Sequence, residues 1–336
     1  MIAIRVDAND IVASGHVTRC LTVARAVKKA GGECIFFTVE ELCAELIKKA
    51  GFSCILLHGR FDRMEEELPE FTEYLKKYEI ESLLADSYYV TEEYFKALSG
   101  ICRITYFDEL YFKGFGHCAN LINGILTPPS YEGVAANACL GPDYVPLREE
   151  FENLPPKEIK KLPEKILLTS GGSDPFHFIK TFLNDFEKAA KWQQTVITAV
   201  TGMWNSDKEE LLEKYKENTH ITVIPQTNDF CKVLSEADLV ITAGGMTIYE
   251  ACACGTPGIV YSMAENQVEQ SVEFDAAGYL YYAGDLRNGV SAVSEKIMEA
   301  LEELKDYEIR LDKSAKMQRL VDGRGAERIA GVLMRG

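Results

Sequence analysis

What this chain of 336 residues lacks narrows its function before any motif is read. No stretch approaches the roughly 18 consecutive apolar residues that a membrane-spanning helix needs. Met1 runs directly into a short strand-like segment, with no basic stretch and no apolar signal core. Membrane insertion is therefore not expected, and a cytoplasmic location is. Positive charge is scarce: 36 Lys and Arg stand against 52 Asp and Glu, a formal net charge of −16. That balance argues against nucleic acid or an anionic membrane as the main partner. The ten cysteines never take paired CxxC spacing. Cys252 and Cys254 are one residue apart and the others are scattered through predicted strands and helices, so reduced, buried thiols are expected rather than a metal site. Neither GxGxxG nor a P-loop occurs, so nicotinamide and ATP readings lose ground. No DxD motif offers a metal to phosphate groups, and no low-complexity tract or short-period repeat is visible. No cofactor and no obligate protein partner follow from the residues.

What is there is an ordinary folded composition, 47% hydrophobic and 26% charged, and a length sufficient for two domains with their own cores. The stretch from Arg5 to Ala30 organises the first half. Ile2–Val6 has the length and apolarity of a strand, and a polar loop with Ser14 and Gly15 follows. Val17, Cys20, Leu21, Ala24 and Val27 then fall on one helical stripe, with Ser14 a plausible N-cap and Gly31 a plausible stop. His16 thereby sits in a first helical turn beyond the carboxyl end of the first strand, where open α/β sheets bind ligands. The helix dipole opposes imidazolium there, and Arg19 one turn on adds to it; a histidine kept neutral can act as a general base. Taken alone, such a histidine is equally a cap, a solvated residue or a packing residue.

In chain order the first half alternates strand and helix. Strands are predicted at Cys34–Val39, Cys54–Leu57, Ser82–Ala85, Arg103–Phe107 and Leu121–Ile125, and helices at Glu41–Ala50, Met64–Tyr78 and Thr91–Leu98. Repeated βα units of this length imply a parallel sheet covered by helices on both faces. The pattern breaks between Pro146 and Pro163, where prolines and charges read as a linker. The expected organisation is a first domain over residues 1–148, a linker over 149–163 and a second domain over 164–336, with the last helix able to pack back on the first domain. In the second half, strands are predicted at Lys165–Thr169, Thr195–Val200, Ile221–Pro225, Leu239–Thr242, Gly258–Ser262 and Leu280–Tyr282. A helix is expected to begin near Pro175, a favoured first helical residue, another to run through Cys254 to Gly255, and helices to follow Val290.

Two glycine pairs carry the chemistry of this half. Gly171-Gly172, followed by Ser173, and Gly244-Gly245, followed by Met246 and Thr247, each lie between a strand and a helix. Glycine lets the backbone approach a ligand, and helix-end N–H groups favour phosphate oxygens. Each pair alone is equally explained by steric needs of a βα turn. Glu250, one helical turn beyond the second pair, is placed to accept both hydroxyls of a ribose or to be a solvated helix carboxylate.

These segments carry a resemblance. RVDA, SGHVTRCLTVA, ADSYY, YFDEL, HCANLINGI, LGPDYVPLREEF, LLTSGGSDP, AGGMTIYEACACGTP and AENQ stand in the order found in the nucleotide-sugar hydrolases of the pseudaminic acid pathway. Those enzymes are UDP-2,4-diacetamido-2,4,6-trideoxy-β-L-altropyranose hydrolases, and the likeness extends to their spore-coat polysaccharide relatives. More distantly the chain resembles the N-acetylglucosaminyl transferase of peptidoglycan synthesis. The resemblance spans nearly the full length and implies the GT-B architecture, two Rossmann-like, doubly wound α/β domains facing each other across a cleft. It implies that His16 activates water for attack on the anomeric carbon of a UDP-sugar. Tyr88 and Asn266 match positions lining the sugar site, beside Gly15, Arg19 and Gln267. Glu250 matches the ribose-binding glutamate. Gly171, Gly172, Ser173, Gly245, Met246 and Thr247 match the two loops facing the diphosphate. Two departures are visible: ASGH where a second glycine is common, and one Asp in YFDEL where many relatives carry two, which leaves Asp108 without an assigned role.

The implied reaction is metal-independent hydrolysis with inversion at the anomeric centre. A glycosyltransferase of the same fold would use the same UDP site and deliver the sugar to an acceptor. An epimerase and a non-catalytic binding module are further rivals. Release of free sugar from donor alone separates the hydrolase from the transferase.

Overall fold

The computed structural model describes residues 1–9, 15–109, 114–131, 137–189, 192 and 195–335. The chain divides into two compact units. The first comprises Met1–Glu149 with Gly323–Gly336, and the second Glu150–Asp322.

In the first unit the strands are β1 (Ile2–Val6), β2 (Cys34–Thr38), β3 (Ser53–Leu56), β4 (Ser82–Asp86), β5 (Arg103–Phe107), β6 (Asn120–Asn123) and β7 (Ala138–Leu140). They form one sheet in the order β3-β2-β1-β4-β5-β6-β7, every pairing parallel. Its helices are α1 (Gly15–Lys29), α2 (Glu41–Lys49), α3 (Leu68–Lys77), α4 (Glu92–Ser99) and, from the far end of the chain, α12 (Gly325–Met334). The three-residue β7 has too short a pattern for periodicity to register, and the sequence reading does not contain it. The helix expected over Met64–Tyr78 divides into a 3-10 turn at Met64–Glu67 and α3. Pro69 lies in the first turn of α3, where its missing N–H costs nothing, whereas a continuous helix would have needed that donor. The apolar stripe of α1 is buried with Ile2, Ile4 and Val6 on one face of the sheet, together with Ile329, Ala330 and Leu333 of α12. The expected cap Ser14 lies outside the described residues.

Strand β1 holds one charged residue with no exposed surface, Arg5. Its guanidinium donates from Nε and Nη2 to the two carboxylate oxygens of Glu67 at 2.7 Å each, and Nη1 lies 2.6 Å from Asp7 Oδ2. Glu67 also accepts from Tyr94 at 2.8 Å. A charge this deep persists only when paired, and the pairing ties the 64–67 turn to the carboxyl end of β1.

In the second unit, β8 (Lys165–Thr169), β9 (Val196–Thr201), β10 (Ile221–Pro225), β11 (Leu239–Ala243), β12 (Gly258–Ser262) and β13 (Tyr281–Asp285) form a parallel sheet ordered β10-β9-β8-β11-β12-β13. Around it lie α5 (Phe178–Lys188), α6 (Lys208–Lys214), α7 (Phe230–Glu236), α8 (Met246–Cys254), α9 (Glu265–Ala276), α10 (Val290–Glu303) and α11 (Tyr307–Leu320). The helix expected near Pro175 starts at Phe178 instead. The reason is Asp174, whose carboxylate accepts from the N–H groups of Phe178 and Ile179 at 2.9 and 2.8 Å and so sets the helix start three residues later. Strands β8 and β11 are buried along nearly their whole length, as central parallel strands covered on both faces must be. Among the described residues no helix is long and apolar enough to cross a membrane.

Candidate functional site

Each sheet reverses its winding between the first strand and the fourth: between β1 and β4 in one unit and between β8 and β11 in the other. Such a switch point opens a crevice at the carboxyl ends of the strands, the usual ligand position in this class of sheet. The residues singled out from sequence cluster at these two places.

At the switch point of the first unit, α1 begins immediately after the β1 loop and places His16 in its first turn, 6% exposed. Asp86, the last residue of β4, is buried and brings Oδ1 to 2.5 Å from His16 Nδ1. A carboxylate only accepts, so Nδ1 carries the hydrogen and Nε2 is the ring's acceptor. Burial alone would raise the Asp86 pKa. The Arg19 guanidinium, and His16 after it, more than reverse that effect and hold the carboxyl well below the usual range. Arg19 is itself buried, donating from Nε to Asp86 Oδ2 and from Nη2 to Asp86 Oδ1, both at 2.6 Å. Its Nη1 donates to Glu109 just beyond β5, and its guanidinium carbon lies 4.8 Å from the centre of the Phe107 ring. Tyr88 meets the His16 ring edge-on, centroids 4.5 Å apart, and donates its hydroxyl to Glu109 Oε2 at 2.7 Å. Burial first, and the Glu109 charge second, raise the Tyr88 pKa, so its hydroxyl stays protonated.

This arrangement changes the physical account of the histidine. The sequence reading had the helix dipole and Arg19 acting on the ring directly; the dominant neighbour is Asp86, with Arg19 paired to it. Asp86 and Glu109 carried no role in that reading. Their signals are position, both standing where a strand runs out at the carboxyl edge, and membership of the ADSYY and YFDEL motifs. Gly15 is exposed, and among the described residues nothing lies within 4 Å of where a side chain would project. Asp108 has no exposed surface and accepts from the Tyr131 hydroxyl at 2.6 Å, to which Asn123 donates at 2.8 Å. It holds the ends of β5 and β6 together.

At the switch point of the second unit, the two glycine loops follow the neighbouring strands β8 and β11. They are not equivalent. Gly171 has φ +75° with open space at its Cβ position, and the Gly172 carbonyl accepts from Trp204 N–H at 3.0 Å. A Cβ on Gly202 would stand 2.2 Å from the Gly171 carbonyl oxygen, so that third glycine, absent from the sequence reading, is what lets β9 run beside the loop. Ser173 is half-buried. Because Asp174 already occupies the first N–H groups of α5, this loop offers no free helix end. The second loop does: Gly245 precedes α8 with no side-chain cap, and among the described residues the N–H groups of Met246 and Thr247 are orphan donors at the positive end of the helix. Gly244 serves packing, since a Cβ there would sit 2.7 Å from Ser271 Oγ and 3.0 Å from Gln267 Cβ of α9, whereas Gly245 faces open space. Glu250 is half-buried one turn along α8. Asn266 is exposed in the first turn of α9. Gln267 accepts from Met263 N–H at 2.8 Å, so its carbonyl oxygen secures the β12–α9 turn. A cavity of about 640 Å³ is lined by Glu265, Asp285, Arg287 and Lys296 among others and contains none of the candidate catalytic, sugar-binding or UDP-binding residues. Among the described residues no group of three or more His, Cys, Asp or Glu side chains is placed to hold a metal ion.

Against this geometry stand the known proteins. Over its full length the chain superposes on the crystal structure of Acinetobacter baumannii MurG with a TM-score of 0.71 at 13% identity, covering 99% of this chain and 98% of that one. The fold is GT-B. Residues 166–323 of this GT-B chain match the glycosyltransferase family 28 C-terminal domain. That span holds both glycine loops, Glu250, Asn266 and Gln267. In sequence the GT-B chain resembles the spore coat polysaccharide biosynthesis protein SpsG of Bacillus subtilis, 29% identical over 236 residues and 69% of each chain. It is more distantly similar to the UDP-N-acetylglucosamine--N-acetylmuramyl-(pentapeptide) pyrophosphoryl-undecaprenol N-acetylglucosamine transferase of Lactococcus lactis, 24% identical over 45% of this chain and 44% of that protein.

Proposed function

We propose that this GT-B protein is a UDP-sugar enzyme of surface polysaccharide or nonulosonic acid synthesis, and that it hydrolyses its substrate to UDP and free sugar. The substrate that the sequence resemblance favours is UDP-2,4-diacetamido-2,4,6-trideoxy-β-L-altropyranose. The likeness to SpsG and the family 28 domain supports the nucleotide-sugar class. The observation that carries the chemistry is the 2.5 Å contact between His16 Nδ1 and the ionised Asp86. It fixes the tautomer in which Nε2 accepts, and among the described residues Nε2 has no hydrogen-bond partner.

In the proposed reaction Nε2 takes a proton from water as the water oxygen bonds to the anomeric carbon, and the bond from that carbon to the UDP oxygen breaks. UDP leaves with the electron pair, its added charge met by the N–H groups at the start of α8, and Glu250 accepts the ribose hydroxyls. Gly171, Gly172 and Ser173 border the diphosphate, and Tyr88, Asn266, Gln267 and Gly15 border the sugar. General-base assistance supplies on the order of a hundred- to ten-thousandfold. Orientation and stabilisation of the leaving group supply the remainder.

A second reading, transfer of the sugar to an acceptor, is favoured by the family 28 match. The deciding experiment offers a panel of UDP-sugars without acceptor and with a chelator present. Equal amounts of UDP and free sugar, formed at an enzymatic rate, support hydrolysis. UDP release that requires an added acceptor makes the protein a transferase, and no release under either condition refutes both.

A further inference from the structure

Arg19 was expected to touch substrate, yet its guanidinium is committed to the protein. Nε and Nη2 grip both oxygens of Asp86 at 2.6 Å, Nη1 pairs with Glu109, and the planar group lies against Phe107. The Asp86 oxygen that accepts from Nη2 is the same one that accepts from His16 Nδ1, and Nη2 stands 3.1 Å from that nitrogen. Among the described residues the polar and charged groups at the ring are Arg19 and Cys20 of α1, the latter's thiol 3.4 Å from Asp86 Oδ2, Asp86 and Tyr88 beyond β4, and Glu109 beyond β5. At the centre of the cluster one carboxylate, Asp86, is shared by a permanent cation, Arg19, and the His16 ring, while Glu109 takes the remaining arm of the guanidinium.

Resting on the reading of His16 as the base, we propose that Arg19 is a positioning residue. It holds Asp86 so that the carboxylate orients the imidazole while its charge is balanced by the guanidinium rather than by an imidazolium. The reasoning is electrostatic. An unshielded carboxylate 2.5 Å from a histidine favours the charged ring, by about one to three pH units for an opposite charge within roughly 4–6 Å. A charged ring has no free acceptor nitrogen and cannot take a proton from water. A guanidinium stays charged at every working pH and matches a carboxylate through a two-pronged contact. Arg19, which also pairs with Glu109, therefore offsets the charge of Asp86 without displacing its hydrogen bond to Nδ1. Its own positive charge beside Nδ1 works in the same sense.

The test is a titration of the His16 imidazole by nitrogen-15 NMR on the full chain, assigned by its loss in His16→Gln. Beside it runs the pH profile of UDP release. In Arg19→Gln the titration midpoint, and with it the acid limb of the rate profile, is expected to move to higher pH by about one unit or more. In Arg19→Gln/Asp86→Asn, where both charges are gone, the midpoint is expected to fall back. Arg19→Lys keeps the charge without the fork and is expected to lie between Arg19→Gln and the wild type. A folded Arg19→Gln protein with an unmoved midpoint overturns the proposal. Should Arg19→Gln not fold, because Asp86 is then buried without its counter-ion, Asp86→Asn tests the opposite sign. It leaves Arg19 facing the ring, is expected to lower the midpoint, and overturns the proposal if the midpoint stays. The NMR midpoint needs no substrate. A wild type that releases no UDP thus refutes the hydrolase reading and leaves the Arg19 measurement intact.

Discussion

At His16 the loss of one nitrogen separates chemistry from binding. His16→Asn removes the ring acceptor, while the residues proposed to hold UDP all belong to the second unit, at Gly171–Ser173 and Gly245–Glu250. UDP release is expected to fall a hundred- to ten-thousandfold with calorimetric UDP affinity unchanged; a variant that turns over at the wild-type rate removes His16 from the mechanism. Asp86 carries a second expectation, about acid stability. Its pKa is held below the ordinary value, so the folded protein binds fewer protons there than the unfolded chain, and stability rises with pH across that interval. The contribution is complete above about pH 4, the ordinary aspartate value, and is lost as pH falls further toward the folded value. Urea melts between pH 7 and 3 should therefore show a steeper acid decline in the wild type than in Asp86→Asn, and parallel curves would contradict the pairing. At this scale the sequence reading singled out His16, Arg19 and Tyr88 but gave no role to Asp86 or Glu109, although these stand in the ADSYY and YFDEL motifs. Asp86 meets a helix residue 70 positions earlier, and in a lone sequence such a strand-end carboxylate reads the same as a solvated one.

Elements show the same division between what periodicity reveals and what local hydrogen bonding decides. The strands that position the two sites, β1, β4, β8 and β11, were legible to within a residue, because a short apolar run bounded by turn residues has few other fates. The start of α5 was not, since Pro175 signals a helix start as strongly as Asp174 does and only the folded chain chooses between them. The glycine pair at α8 was legible as a pair but not in its division of labour. Gly244→Ala forces a methyl into Ser271 and Gln267 and is expected to cost about 1–3 kcal/mol of stability by overpacking. Gly245→Ala meets no protein atom within 4 Å, and its backbone is extended at φ 162°, so the melting temperature should hold. In the proposed site the added methyl fills space used by the diphosphate, so UDP affinity should drop tenfold or more, on the order of 1.4 kcal/mol. Paired thermal melts and UDP titrations read both effects, and normal UDP binding by Gly245→Ala would move the diphosphate away from this helix end.

For the molecule as a whole, the two units repeat one strand order, with the seventh strand as the first unit's addition, and each brings its candidate groups to its own switch point. Alternation of strands and helices made that repetition legible. The order of strands within each sheet was not, because pairing depends on contacts far apart in the chain. The terminal segment is another contact between distant parts of the chain, one the sequence reading allowed for by letting the last helix pack back on the first domain. Residues 323–336 follow the second unit in sequence yet belong to the first, where α12 buries Ile329 and Leu333, 0% and 1% exposed, in the core that contains Val23 and Val27 of α1. Each such side chain contributes about 1.5–3 kcal/mol, against a total of roughly 5–15 kcal/mol for a domain. The same helix α1 carries His16 and Arg19. Truncation after Asp322 is therefore expected to lower the stability of the first unit steeply and abolish turnover, while the second unit, which retains its whole sheet and both glycine loops, continues to bind UDP. A Leu333→Asp substitution should reproduce the loss of turnover without shortening the chain. Calorimetric UDP binding, measured beside acceptor-free UDP release, checks both variants. Full turnover in either would mean that α12 does not support the helix bearing the base, and loss of UDP binding would mean that the nucleotide is held by the first unit instead.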